Sequence, residues 1–205
     1  MGQRGHPLFA ASYDTLTRPL ETRLFGERRA RLLTDLTGTV LDVGAGTGAN
    51  LQYFRRTDRV VASEPDPAMR KRLAVKLGEA TVPVEIDDAA AESLPYPDAS
   101  FDAVVCTLVL CTVTDPDRAL AQARRVLVPG GRLVVLEHVR GRGRLATWQD
   151  RLTPLWSRLA AGCHPNRDTR AAIERAGFTF QRVEEFAPLP RWVITRTMLE
   201  AVASR

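Results

Sequence analysis

Lysine is almost missing from this chain: of its 29 basic residues only Lys71 and Lys76 are lysines, and the others are arginines. An imbalance of that kind follows genome composition more often than it marks a binding surface. The net charge is +5 and the isoelectric point about 9.6. The arginine clusters, Arg28-Arg29-Arg31 and Arg140-Arg142-Arg144, have no aromatic platform interleaved with them, so no nucleic-acid partner is expected. Cysteine is scarce and odd in number, at Cys106, Cys111 and Cys163. Their spacing fits neither a disulfide framework nor a metal-ligand motif, and no metal is expected. No apolar run reaches transmembrane length. Residues 1–7 lack the apolar core of a signal peptide, and Pro7 stands where a myristoylation signal wants Ser or Thr. These absences point to a cytoplasmic protein without a membrane anchor.

What the chain does have is 44% hydrophobic residues over 205 positions, enough for one domain with a proper core. Its organising stretch is residues 40–50, Val-Leu-Asp-Val-Gly-Ala-Gly-Thr-Gly-Ala-Asn. Val40, Leu41 and Val43 make a short buried strand. Gly44, Gly46 and Gly48 follow at alternate positions, where a backbone turns sharply and a ligand can lie against it. A helix expected over 47–56 would aim free N–H groups at that ligand. A second apolar strand over 59–63 ends in Glu64, followed by Pro65. In doubly wound sheets an acid at that point accepts hydrogen bonds from ribose hydroxyls.

Strands and helices then alternate as far as residue 137. A helix is expected over 67–78, a strand over 82–86, a loop over 87–98 and a strand over 99–106. A helix starting at Asp115 or Asp117 runs through Leu127, Val128-Pro129-Gly130-Gly131 forms a turn, and the fifth strand spans 132–137. The alternation predicts a parallel sheet with helices on both faces. Residues 177–184 and 192–195 suit a closing antiparallel hairpin, with Pro188 and Pro190 in its turn. Upstream, residues 12–36 read as one helix with Leu16, Leu20, Leu24, Leu32, Leu33 and Leu36 turned inward.

The acid-x-G-x-G-x-G pattern led by Asp42 resembles the first motif of the class I methyltransferases, which bind S-adenosylmethionine. Arg125-Val126-Leu127-Val128-Pro129-Gly130-Gly131 resembles the motif before their fifth strand. The resemblance implies a doubly wound, Rossmann-like α/β fold with seven strands, mainly parallel, and the antiparallel C-terminal hairpin. It implies S-adenosylmethionine as cofactor, with Asp42, Gly44, Ala45, Gly46, Gly48 and Asn50 around it, Glu64 and Pro65 at the ribose, and Tyr13 near the methionine end. Thr107 and Leu108, just beyond the fourth strand, are candidates to touch cofactor and acceptor. The loop Asp88-Ala89-Ala90-Ala91-Glu92-Ser93-Leu94-Pro95-Tyr96 resembles the adenine-side loop of the ubiquinone and menaquinone methyltransferases. Ala90 replaces their aspartate, which leaves Ala91 and Glu92 for cofactor contact and Asp88 as a substitute acid. The catalytic N/D-P-P-Y motif of amino methyltransferases is absent.

The acceptor side carries less common strings. Cys106-Thr107-Leu108-Val109-Leu110-Cys111, Glu137-His138-Val139 and Pro154-Leu155-Trp156 followed by Gly162-Cys163 and Arg167 resemble the small alkyl-thiol methyltransferases. That family's animal members carry an N-terminal membrane-anchoring segment not matched here, and His164 after the Gly-Cys pair departs from their pattern. The resemblance implies S-methylation of a small thiol, in secondary metabolism or detoxification. An O-, N- or C-methyltransferase acting on an aromatic or quinone is the alternative, and a cofactor-binding partner subunit without catalysis is another. His138 and His164 are the candidate catalytic bases, against the reading of both as hydrogen-bonded structural residues. Cys111, Trp148, Trp156, Cys163 and Arg167 are candidate acceptor-lining residues. The whole is expected to be one methyltransferase domain over 1–205, with 1–37 as a helical cap and 138–176 as an acceptor-side helical insertion. A monomer and a homodimer fit the sequence equally.

Overall fold

The computed structural model describes residues 18–205, with side chains from Thr22 onward. The expected role of Tyr13 and the first half of the helical cap lie outside the described residues. Helix α1 (Arg18–Leu33) leads into strand β1 (Thr39–Val43). Strand β2 (Arg59–Ser63), helix α2 (Pro67–Val75), strand β3 (Val84–Asp87) and strand β4 (Phe101–Thr107) follow. Then come helix α3 (Pro116–Val126), strand β5 (Leu127–His138), helices α4 (Arg144–Leu159) and α5 (Thr169–Arg175), and strands β6 (Thr179–Phe186) and β7 (Met198–Ser204).

The seven strands form one sheet in the order β3-β2-β1-β4-β5-β7-β6. Pairs from β3 across to β5 are parallel, while β7 runs antiparallel to both β5 and β6. Strand order reverses between β1 and β4, and ligands of such sheets bind at the carboxyl ends beside that reversal. β1 and β4 are apolar almost without interruption, as parallel strands covered on both faces must be. Asp102 of β4 is exposed, whereas Asp42 is a fully buried carboxylate within β1.

Helix starts follow a repeated local rule. Asp66, Asp115 and Asp168 each accept a backbone N–H of the first turn of α2, α3 and α5. Pro67 and Pro116 occupy the first helical position, where the missing N–H has no intrahelical acceptor in any case.

Three expectations are corrected. The helix expected over 47–56 is a series of turns ending in one 3-10 turn, Leu51–Tyr53. Gly48 sits at φ +86°, outside the α-helical region, so no α-helix can pass through it. Residues 192–195 form turns rather than a strand, with Trp192 82% exposed. The closing strand is β7, which lies inside the sheet and is mostly buried. Finally, the turn Val128-Pro129-Gly130-Gly131 interrupts β5 instead of preceding it. Register with β4 jumps there from Phe101–Leu127 to Ala103–Arg132.

Glu200 in the middle of β7 is fully buried and meets three arginines. Arg28 Nη1 donates at 2.7 Å, Arg31 Nη2 at 2.8 Å, and Arg182 Nη2 lies at 3.2 Å. Arg28 also donates to Glu184 at 3.0 Å and stacks over the Phe186 ring at 3.5 Å. Two arginines of the α1 cluster are therefore a clamp between that helix and the β6–β7 pair. Glu200→Ala leaves arginines that are 21%, 43% and 47% exposed and can take water, so it is expected to destabilise the fold by about 1–2 kcal/mol in urea denaturation. Arg31→Ala, at a side chain 43% exposed, should cost less than about 1 kcal/mol.

Candidate active site

The carboxyl ends of β1, β2, β4 and β5 converge on one polar region within an apolar core. Asp42 Oδ1 accepts from Asn50 Nδ2 at 2.8 Å, and the same amide donates to Thr107 Oγ1 at 3.0 Å. Arg29 Nη1 donates to Asn50 Oδ1 and, at 3.1 Å, to Thr107 Oγ1. All four side chains are buried. Burial pushes the Asp42 carboxyl up to about 7, while the Asn50 hydrogen bond and then the Arg29 charge oppose the shift. Asp42 Oδ2 is buried and has no hydrogen-bond partner. A buried acceptor left open is costly unless a ligand or water completes it.

Glu64, at the end of β2, is 8% exposed. Its Oε2 accepts from Gly46 N at 2.9 Å and its Oε1 from Asp66 N at 2.8 Å, which ties the glycine loop to the start of α2. Burial raises its pKa against those two bonds. Each oxygen keeps a further lone pair. Arg70 fixes the turn below, donating to the carbonyls of Glu64 and Pro65 at 2.7 and 2.8 Å. Gly46 has φ +58°, and a Cβ there would meet only the Gly44 carbonyl, at 4.0 Å. The loop therefore has open space over its middle glycine. Ala91 is buried and precedes Glu92, whose Oε1 accepts from Thr114 N at 2.8 Å and Asp115 N at 3.3 Å. Glu92 thus fastens the loop over 88–96 to the start of α3.

Beyond β4 the chain turns on Leu108, whose φ of +57° is strained for a branched residue. Glu137, fully buried in β5, holds that turn in place. Its carboxylate accepts from Val109 N and Leu110 N at 2.7 Å each and from Cys111 N at 3.3 Å. Burial pushes Glu137 up to about 7 in spite of those donors.

One residue on, His138 reaches the two cysteines. Its Nδ1 lies 3.8 Å from Cys111 Sγ and 3.7 Å from Cys163 Sγ, and the two sulfurs are 3.8 Å apart. Cys163 is held below the ordinary thiol range by the Cys111 thiol first and then by the His138 imidazole. Cys111 is held above it by the same pairing and by burial. His164 is outside the cluster. Its Nδ1 lies 2.6 Å from the Gly162 carbonyl, so that nitrogen carries the proton, and its backbone N–H donates to Cys111 O at 2.7 Å. Arg167 donates to the Leu110 carbonyl at 2.5 Å and supports the same turn. Trp156 is partly buried with its indole N–H unpartnered, whereas Trp148 is 51% exposed on α4.

Three supporting residues escape a sequence reading. Arg29 and Glu137 look like surface charges, and Gln149 looks like a solvent-facing helix residue. Gln149 is fully buried. It accepts from Gly141 N at 2.7 Å and donates towards the carbonyls of Val139, Pro165 and Ile194 at 3.2, 3.0 and 2.8 Å. The only signal for Arg29 and Gln149 is that they fall one and four residues from apolar helix positions, which sequence alone cannot weigh.

The sheet order and the glycine loop with acids at the ends of β1 and β2 define a Rossmann-like methyltransferase. Comparison with known proteins agrees. A family described as "Methyltransferase domain" matches residues 41–135. The thiol S-methyltransferase TMT1B of Rattus norvegicus is 37% identical over 192 residues, covering 91% of this chain and 78% of that protein. The ubiquinone/menaquinone biosynthesis C-methyltransferase UbiE of Enterobacter sp. is 40% identical over 141 residues, covering 62% and 55%. A solved S-adenosylmethionine-dependent methyltransferase from Thermotoga maritima superposes with a TM-score of 0.69 at 21% identity, covering 97% of this chain and 96% of that one. The chain belongs to the class I S-adenosylmethionine-dependent methyltransferases. Among the described residues no helix is long and apolar enough to cross a membrane.

The residues present fit that cofactor. The open Asp42 Oδ2 suits the ammonium of its amino-acid end, the space over Gly46 admits its backbone-hugging part, and Glu64 retains acceptor capacity for ribose hydroxyls.

In the folded ligand-free chain Asp42 and Glu137 hold protons more tightly than an unfolded chain does. The stability they contribute is full below about pH 4 and is lost as pH rises through about 7. Urea melts are expected to show the ligand-free chain weaker at about pH 8 than at about pH 5, with Asp42→Asn flattening part of the fall. A stability that holds steady or rises over that interval overturns the account.

Proposed function

We propose that this methyltransferase transfers its methyl group to the sulfur of a small thiol, with S-adenosylmethionine as donor. The observation carrying the reading is that three separate strings resembling the thiol methyltransferases, around Cys111, His138 and Cys163, meet in one cluster at the carboxyl edge of the sheet. The 37% identity to a thiol S-methyltransferase across 91% of the chain supports it. The likeness to a carbon-methylating enzyme reaches 62% of the chain, and a ring-carbon or oxygen acceptor is the second reading.

The bound cofactor supplies an electrophilic sulfonium methyl. The chain's own residues do the rest. Asp42, through its free oxygen, and Glu64 orient the donor, and the Asn50–Thr107–Arg29 network keeps Asp42 in place. Transfer is an in-line displacement in which alignment is the main catalytic requirement. The acceptor's S–H proton leaves, its sulfur forms the S–C bond, and the donor's C–S bond breaks with its electron pair returning to the donor sulfur. A thiol of pKa about 8.5 already supplies some thiolate at neutral pH. His138, partly buried at the end of β5, favours the thiolate form. Trp156 and the cysteines wall the acceptor.

The test is a panel of aliphatic, aromatic and dithiol acceptors run beside phenols and amines with methyl-labelled S-adenosylmethionine, read by mass spectrometry. Label is expected on sulfur. His138→Ala should lower kcat/KM for thiols by about 100-fold while calorimetry finds unchanged cofactor affinity. Label confined to oxygen, nitrogen or carbon would sink the thiol reading.

A further inference from the structure

The cluster of Cys111, His138 and Cys163 has a geometry that walling an acceptor does not require. Its three donor atoms form a nearly equilateral triangle with sides of 3.8, 3.8 and 3.7 Å. A tetrahedral zinc-class ion holds sulfur at about 2.3 Å and imidazole nitrogen at about 2.0 Å, so two of its sulfur ligands stand ~3.8 Å apart and sulfur and nitrogen ~3.5 Å apart. The triangle is thus close to one face of such a tetrahedron before any ion is present. A disulfide, by contrast, needs its sulfurs at about 2.05 Å and the cysteines turned towards each other for it.

From these distances we infer that Cys111, His138 and Cys163 form a three-ligand site for a thiophilic divalent cation of the zinc class, whose open fourth position takes the thiolate of the acceptor. The second half rests on the thiol reading above; the first does not.

The ligands are preorganised by contacts that owe nothing to an ion. Cys111 N is held by the Glu137 carboxylate, and His164 N–H donates to Cys111 O, which ties the Cys163 loop to the Cys111 turn. Cys163 N–H donates to Ala160 O at the end of α4. His138 follows Glu137 on the same strand. Both cysteines are buried, at 1% and 6% exposure, while His138 is only partly so. Solvent reaches the histidine of the cluster more than its sulfurs, which suits a three-ligand site with one free position better than a closed structural one. The Trp156 indole N–H, buried without a hydrogen-bond partner, suits a supporting N–H to a metal-bound sulfur. Sequence spacing hides the site because its ligands come from segments 27 and 25 residues apart.

The ion lowers the cost of a thiolate at the fourth position, and proton release accompanies binding of each thiol. The acceptor then loses its S–H proton to solvent on binding, and its sulfur remains a nucleophile for the methyl group.

The experiment uses the full chain without a polyhistidine tag, reduced, and measured for metal by mass spectrometry and for Co(II) uptake by absorption. About one zinc per chain is expected, and cobalt should give thiolate charge-transfer bands in the near ultraviolet with the visible bands of a tetrahedral ion. Cys111→Ser and Cys163→Ser should weaken cobalt binding by more than about 100-fold, and Trp156→Phe by about 10-fold. Cys106→Ala, a buried thiol outside the cluster, should leave the bands unchanged, and cofactor binding by calorimetry reports that each variant folds. Reduced chain that takes up neither zinc nor cobalt overturns the site, as does a Cys111–Cys163 disulfide whose reduction restores no metal binding. Adding an aliphatic thiol without cofactor should shift the cobalt bands. No shift, with thiols still labelled in the methyl-transfer assay, overturns the fourth-position role alone. Intact bands with label only on other atoms sink the thiol reading and leave the ion site standing.

Discussion

A buried carboxylate that answers three backbone N–H groups governs this site. Glu137 sits at the carboxyl end of β5 and grips the turn that leaves β4, through Val109, Leu110 and Cys111. A buried carboxyl without donors would cost several kcal/mol, and a turn with three unmet N–H groups would be similarly costly. Each solves the other's problem. The strained backbone at Leu108 persists because that exchange over-determines the loop. Cys111 ends the gripped turn and His138 follows the gripping residue, so one interaction sets both sides of the Cys–His–Cys cluster.

The cofactor side obeys the same economy of buried polar groups. Asp42, Asn50, Thr107 and Arg29 form a network in which one oxygen, Asp42 Oδ2, lacks a partner. Asp42, Glu64 and Glu137 all lie near the carboxyl edge, and burial raises all three pKa values. Acids poised this way gain most from a cationic ligand, which restores their ionised forms. A sulfonium carrying an ammonium group is such a ligand, and loss of its methyl group removes one of those charges.

The parallel half of the fold was legible because β1, β2, β4 and β5 are buried on both faces and so read as continuous apolar runs. The glycine loop was legible because its positive φ values at Gly44, Gly46 and Gly48 demand glycine, and Glu64 because an acid closes the second apolar run. The crossover helix was misread because amino-acid type does not reveal that Gly48 adopts a positive φ. The last strand was misread because Glu200 interrupts it like a surface residue, while Trp192-Val193-Ile194 offers better strand formers. Only the arginines brought by α1 and β6 explain why a glutamate is tolerated inside the sheet. Cys111, His138 and Cys163 were each legible as acceptor-side candidates, but their mutual contact was not, because they share no local pattern and folding alone joins them.

The insertion of β7 between β5 and β6 also fixes an order of events during synthesis. β6 is made first but has no edge to dock on until β7 has emerged and paired with β5. On a ribosome adding roughly 5–20 residues per second, the parallel strands can assemble while β6 is still waiting with its backbone groups unpaired. An edge left open in that way is a template for pairing with another chain. Arg182, Glu184 and Glu185 along β6 place charge on it throughout that interval. They guard the nascent chain as well as anchoring the finished one.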